Sequence, residues 1–191
     1  MIFLDIETKN DWTSGDSFKI ENLEISYAGV IDGDTGEEMD FWEDDMEKLG
    51  EVMKKTDYVV HYNGFTFDMP VIANYIGDWV NDLPQIDLMV AAFKTIGFRP
   101  KLDDLSNATL GYGKIGHGSD AVKYWAAGDL ESLKKYCLMD VKVTQDVYEW
   151  GRDKGFIKYY DKQGFVVESK IDWDLGKRVK EVVADDSIGM F

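Results

Sequence analysis

The chain has 191 residues, of which 45% are hydrophobic and 14% aromatic, enough for one domain with a sizeable core and too apolar for a disordered chain. No run of about 18 apolar residues occurs, so no membrane-spanning helix is expected. The net charge of −16 argues against a general duplex-coating protein, which would need a basic face.

The acids are unevenly spread. Residues 1–60 carry 17 Asp and Glu against 5 Lys, and the other 131 residues carry 20 acids and 16 bases. Acids that face a bound cation invert the local field, so acidity leaves room for an enzyme that grips a short strand end. The opening MIFLDIETKN is apolar too briefly for a signal peptide. With Cys137 as the single cysteine no disulfide can form within the chain, and a cytoplasmic, membrane-free protein is expected.

Residues 2–6 (IFLDI) predict a buried strand, and 24–31 (EISYAGVI) a second one. DGDTG at 32–36 has hairpin turn chemistry, with 37–42 as the return strand. Asp32, Asp34 and Glu43 echo a calcium-loop spacing, but Glu37 stands where that loop needs glycine, so the hairpin is preferred. Residues 44–55 place Met46, Leu49, Val52 and Met53 at helical spacing, acids first and lysines last, as the helix dipole favours. A strand follows at 57–62, a helix at 68–76, a short strand near 84–88 and a helix from about 88 to 96. KLDDLSNATLG (101–111) is a short helix stopped by glycine, 111–120 a Gly-rich loop, and DAVKYWAAG another short helix. Residues 129–155 form a long helix capped by Asp129 and ending near Gly151 or Gly155, before a hairpin of FIKYYD and GFVVES. No repeat, low-complexity tract or linker divides the chain, so 1–191 is read as one α/β domain with a central mixed sheet flanked by helices.

Three acidic elements stand in apolar settings. Asp5 and Glu7, at i and i+2 of the first strand, share a face roughly 6–7 Å apart. Asp68 closes HYNGFTFD, where a helix begins. Asp140 lies on the long helix, with Tyr136 four residues earlier on the same side. Two carboxylates on one face of a central strand repel unless a cation separates them. Oxygen-only ligands suit Mg²⁺ or Mn²⁺. Two such ions, about 3.5–4 Å apart, can hold the attacking and leaving oxygens of a phosphoryl displacement, and a nearby phenol can orient the attacking water.

Read singly, each residue has an ordinary explanation. Asp5 and Glu7 could be solvated acids at a strand end, Asp68 a helix cap, Asp140 a surface acid and Tyr136 a core aromatic. Together and in order, FLDIET, HYNGFTFD and YCLMD resemble the three motifs of the DEDD exonuclease superfamily: Asp-x-Glu, Asn-x₃-Phe/Tyr-Asp and Tyr-x₃-Asp. The tyrosine marks the DEDDy branch. KLDDLSNATLGYGKIGHG followed by KKYCLMDVKVTQDVYEWG also resembles RNase H-like domains of the YprB type, and the likeness spans about residues 2–160, leaving 161–191 as a C-terminal extension.

The resemblance implies an RNase H-like fold and a 3′→5′ exonuclease that uses two Mg²⁺ or Mn²⁺ to release 5′-mononucleotides from a single-stranded or frayed end of DNA or RNA. It implies that Asp5 bridges both metals and that Glu7 and Asp140 complete the site of the metal that holds the attacking water. Asp68 would serve the second metal, and Tyr136 would position that water. Thr8, Asn63, Lys114 and His117 are expected at the substrate, and Trp12 is placed where a base could stack. His61 is read as a structural histidine and Cys137 as inert. The rival readings are a nucleic-acid-binding or regulatory module without turnover, and a proofreading or end-trimming subunit active only in a larger complex, where a protein partner supplies a basic surface.

Overall fold

The computed structural model describes residues 1–10, 19–113 and 118–178, with the side chains of 118 and 119 left aside. Lys114, His117 and Trp12 therefore lie outside the described residues, as does the extension beyond 178.

Strand β1 (Ile2–Thr8) is the centre of a five-stranded sheet. It pairs antiparallel with β2 (Ile25–Asp32), which pairs antiparallel with β3 (Glu38–Trp42). On its other side β1 runs parallel to β4 (Val59–His61), which runs parallel to β5 (Gln85–Asp87), giving the order β3-β2-β1-β4-β5. The hairpin turn is closed by Asp32, whose Oδ1 accepts the N–H groups of Asp34 and Thr35 and the Thr35 hydroxyl.

The period-two pattern of β1 sorts its side chains between two helical layers. Ile2, Leu4 and Ile6 enter one core cluster with Met46, Leu49 and Met53 of α1 (Met46–Met53) and Met69, Val71 and Ile72 of α2 (Asp68–Ile76). Phe3 faces the opposite cluster, with residues of α3 (Leu88–Ile96), α4 (Leu102–Leu110) and α6 (Leu130–Lys154). Helix α5 (Gly118–Ala127) covers the start of α6 and contributes Ala121 to a third cluster with Tyr27, Leu133, Tyr136 and Cys137. Two strands, β6 (Phe156–Tyr160) and β7 (Val166–Lys170), form a separate hairpin sheet. The Thr109 hydroxyl of α4 bonds to both the carbonyl and the N–H of Lys158, pinning that hairpin to α4.

Most elements fall where periodicity and caps place them. Helix α2 starts and ends at the expected residues. Asp129 caps α6 by accepting the Ser132 N–H, and Gly155, at φ 76°, ends it. One boundary differs in a way that matters. β1 continues past residue 6 to Thr8, because β2 pairs alongside it, Asp5 with Gly29 and Glu7 with Tyr27, and then, after a register shift, Thr8 with Ile25. Asp5 and Glu7 thus stand within a central strand, not at a frayed end. Among the described residues no helix is long and apolar enough to cross a membrane.

Candidate active site

The site forms where β1 outruns its parallel neighbour. β4 pairs with β1 only at Ile2 and Phe3 and stops at His61. In a strand every second N–H faces the same neighbour. Ile2 N–H, on the β4 side, donates to Tyr58 O. Ile6 N–H, four residues on and on the same side, finds no strand to receive it. The Asp68 carboxylate takes that place, its Oδ1 accepting Ile6 N–H at 3.1 Å. Asp68 is thereby fixed at the strand position between Asp5 and Glu7. The carboxyl ends of the strands are where open α/β sheets commonly bind ligands.

Asp5 and Glu7 point to the α6 side and are half-buried. α6 crosses there closely because Gly29, opposite Asp5, has no side chain. A Cβ on Gly29 would lie 3.2 Å from Cys137 Sγ and 3.3 Å from Val141. Cys137 is fully buried, with Sγ 3.3 Å from Asp5 O and 3.6 Å from Asp5 Oδ2. Carboxylate oxygens of Asp5 and Glu7 and this sulfur lie within 4.8 Å of one another. Burial, then the charges of Asp5, Glu7 and Asp140, push the Cys137 thiol well above its usual range. Three of the four expected acids therefore act on one buried atom. Asp140 is 5% exposed, one helical turn after Cys137. Tyr136, 4% exposed, packs beside Tyr124 of α5 with ring centroids 6.4 Å apart.

Asp68 is 3% exposed. Burial pushes its carboxyl up to about 6, against the opposing pull of His61 and the Ile6 N–H.

The turn that delivers Asp68 depends on residues the sequence reading left aside. Asp87, fully buried at the end of β5, accepts four backbone N–H groups: Asn63, Phe65, Met89 and Val90. One carboxylate so caps α3 and holds the Asn63–Phe65 turn. Burial pushes Asp87 upward, but His61 and these amides outweigh it and leave its pKa below the usual carboxylate range. An Asp directly before the apolar run LMVAAF is a readable N-cap signal; its second task, across the sheet, has no local signal. His61 is enclosed as expected of a structural residue. Its Nε2 lies 3.0 Å from Gln85 Oε1, and Nδ1 accepts Gly64 N–H at 3.1 Å with Asp87 Oδ2 3.5 Å away. As a neutral ring Nδ1 accepts from Gly64; as a cation it would donate to Asp87. Gly64 is obligatory here, since a Cβ would come within 2.5 Å of the His61 ring.

The expected substrate residues are placed as follows. Asn63 adopts the left-handed region at φ 67°, and its Oδ1 accepts the Thr66 hydroxyl, so it shapes the turn. Thr8 is 6% exposed and its hydroxyl donates to Asn10 O at 2.7 Å. Lys9, beside it, pairs with Glu43 and Glu24 and lies 5.3 Å from the Trp125 ring centroid. Nothing local to Lys9 in the sequence announces that network.

The sheet order, the two helical layers and the acids gathered beside β1 define an RNase H-like α/β protein. The sequence pattern of the RNase H superfamily matches residues 2–152, and the chain belongs to that superfamily, a family with a nuclease fold. Comparison with curated proteins finds no match. Among solved structures, the family B DNA polymerase from the hyperthermophilic archaeon Pyrobaculum calidifontis matches with a TM-score of 0.62 at 18% identity. The match covers 79% of this chain and 24% of that one, so the chain spans about a quarter of the polymerase it resembles in fold. Nucleases of this superfamily generally work with divalent cations. The donor set here fits one: carboxylate oxygens of Asp5 and Glu7 converge within 4.8 Å beside the Cys137 sulfur, and with Asp140 they add to the effect of burial in raising that thiol's pKa.

Proposed function

We propose that this protein is a DEDDy-type 3′→5′ exonuclease that hydrolyses single-stranded or frayed DNA or RNA to 5′-mononucleotides with two Mg²⁺ or Mn²⁺ ions. The observation that carries the reading is the meeting of motif residues at one point of β1. Asp68 is held on the Ile6 N–H between Asp5 and Glu7, and the charges of Asp5, Glu7 and Asp140 all act on the Cys137 thiol. These residues are up to 135 positions apart, from Asp5 to Asp140, and local folding rules do not gather them.

In this reading Asp5, Glu7, Asp68 and Asp140 hold the cations. Bound cations would neutralise charge on the phosphate and make water a competent nucleophile near neutral pH. Tyr136 orients that water through its hydroxyl, and the surrounding core keeps the ring from swinging away. Thr8 and Asn63 shape the backbone beside the strand end, with Lys114 and His117 proposed as further substrate contacts. The single buried cysteine suits a reducing, cytoplasmic setting.

The net charge of −16 favours a second reading, a trimming subunit whose basic groove comes from a protein partner. One experiment separates these. Purified protein is incubated with 5′-labelled single-stranded DNA and RNA, with Mg²⁺, Mn²⁺ or EDTA. A descending ladder that needs metal and a free 3′ end supports the exonuclease. Cleavage of a circular strand, or activity through exhaustive chelation, rejects it. Metal binding without turnover points to the partner-dependent form.

A further inference from the structure

The buried thiol of Cys137 lies against Asp5. α6 approaches the sheet closely at Cys137, Leu138 and Val141, where the bare backbone of Gly29 leaves only 3.2 Å between a notional Cβ and the Cys137 sulfur. Gly29 and Asp5 are cross-strand partners. The thiol is therefore set against Asp5 by two independent features of the fold, the sheet register and the helix approach. Its sulfur meets both the Asp5 carbonyl, at 3.3 Å, and the Asp5 Oδ2, at 3.6 Å. A thiol carries one proton and is a weak donor. The Cys137 side chain is fully buried, so water does not compete for its S–H, and even a weak donor then biases which way the carboxylate turns.

We propose that Cys137 is a positioning residue: its S–H, shared between the main-chain carbonyl and Oδ2 of Asp5, holds that carboxylate in the orientation that receives the metal. The inference rests on the proposed reading of Asp5 as a metal ligand. Carboxylate ligands are commonly oriented by hydrogen-bond partners behind them, and loss of such a partner typically weakens metal binding about 10–100-fold. Cys137 stands in that position, adjacent in sequence to Tyr136 and three residues before Asp140. The same turn of α6 therefore supplies a ligand, the proposed water-orienting phenol and the support for a ligand on the opposite strand.

A simple packing role makes a different forecast. If only volume matters, serine and alanine at 137 should be similarly tolerated, serine slightly worse because it buries a hydroxyl. If the donor matters, serine should rescue what alanine loses.

The test is Mn²⁺ titration of the full chain, read from the electron paramagnetic resonance signal of free Mn²⁺, on wild type, Cys137→Ser and Cys137→Ala. Metal-free melting curves are run beside it. The expected result is a dissociation constant about 10-fold or more weaker for Cys137→Ala and within about threefold of wild type for Cys137→Ser. Metal-free melting temperatures should not follow that order. Wild-type affinity in Cys137→Ala, or equal weakening in both variants, overturns the positioning role while leaving Asp5 as a ligand. Failure of the wild type to bind Mn²⁺ overturns the reading of Asp5 itself, and the positioning role with it.

Discussion

The Asp68 side chain completes the hydrogen bonding of β1 by accepting the Ile6 N–H at 3.1 Å. At this point the parallel neighbour has ended, and a carboxylate stands in for a strand. The consequence is mutual: the strand gains an acceptor for a buried amide, and the carboxylate gains a fixed address between Asp5 and Glu7. Fold and site meet in one bond.

That bond has two separable parts. Asp68→Ala leaves the Ile6 N–H without its acceptor and should cost about 1–3 kcal/mol relative to Asp68→Asn, whose amide oxygen can still accept. In metal-free wild type the Asp68 carboxyl lies near 6, above the usual unfolded value of about 3.9. Between about pH 4 and 6 the folded state keeps a proton that the unfolded state releases, so this group's contribution to stability falls as pH rises. Asp68→Asn should therefore gain stability relative to wild type between about pH 4 and 7 in EDTA. Urea unfolding at both pH values checks this, and parallel behaviour of the two proteins would refute the raised carboxyl.

Clustered acids repel until a cation arrives. Asp5→Asn and Asp140→Asn should leave metal-free stability equal or higher while removing turnover. Mn²⁺ at a hundred times its dissociation constant should stabilise wild type by about 2.7 kcal/mol, a melting shift of roughly 5–10 °C for a chain of this size. Neither variant should show the full shift. A large metal-free loss in both would mean that these acids hold the fold instead.

Tyr136→Phe retains the buried ring and its contact with Tyr124 but removes the hydroxyl. Single-turnover rates should fall by roughly 10²–10⁴-fold if that hydroxyl orients the attacking water. The Mn²⁺ dissociation constant should stay close to wild type. Unchanged rates would confine Tyr136 to packing.

Gly64→Ala drives a Cβ to within 2.5 Å of the enclosed His61 ring. The turn must shift or the ring must leave Gln85. A loss of about 1–3 kcal/mol is expected, as for overpacked cores. Because the same turn carries Asp68, metal affinity should fall with it. Calorimetric metal titration of the folded variant reads the second effect, and unaltered affinity would show that Asp68 is placed independently of the turn.

The sequence by itself determined the elements and the candidate acids. Hydrophobic period, cap residues and glycine stops act within about four positions, and these local rules located α2, the hairpin turn at Asp32 and the full course of α6. The three motifs in order named Asp5, Glu7, Asp68, Tyr136 and Asp140. Tertiary structure alone decided where these residues sit relative to one another. The continuation of β1 to Thr8 depends on β2, and the contact of Cys137 with Asp5 spans 132 positions. The four amides on Asp87 come from two segments, and the anchoring of Lys9 by Glu43 comes from a third. A residue's own neighbours encode its φ and ψ, its cap and its face. Which distant carboxylate or thiol comes to lie against it depends on strand register and on how closely a helix can approach. Those are set by packing the whole core at once, here by details as small as the missing side chain of Gly29.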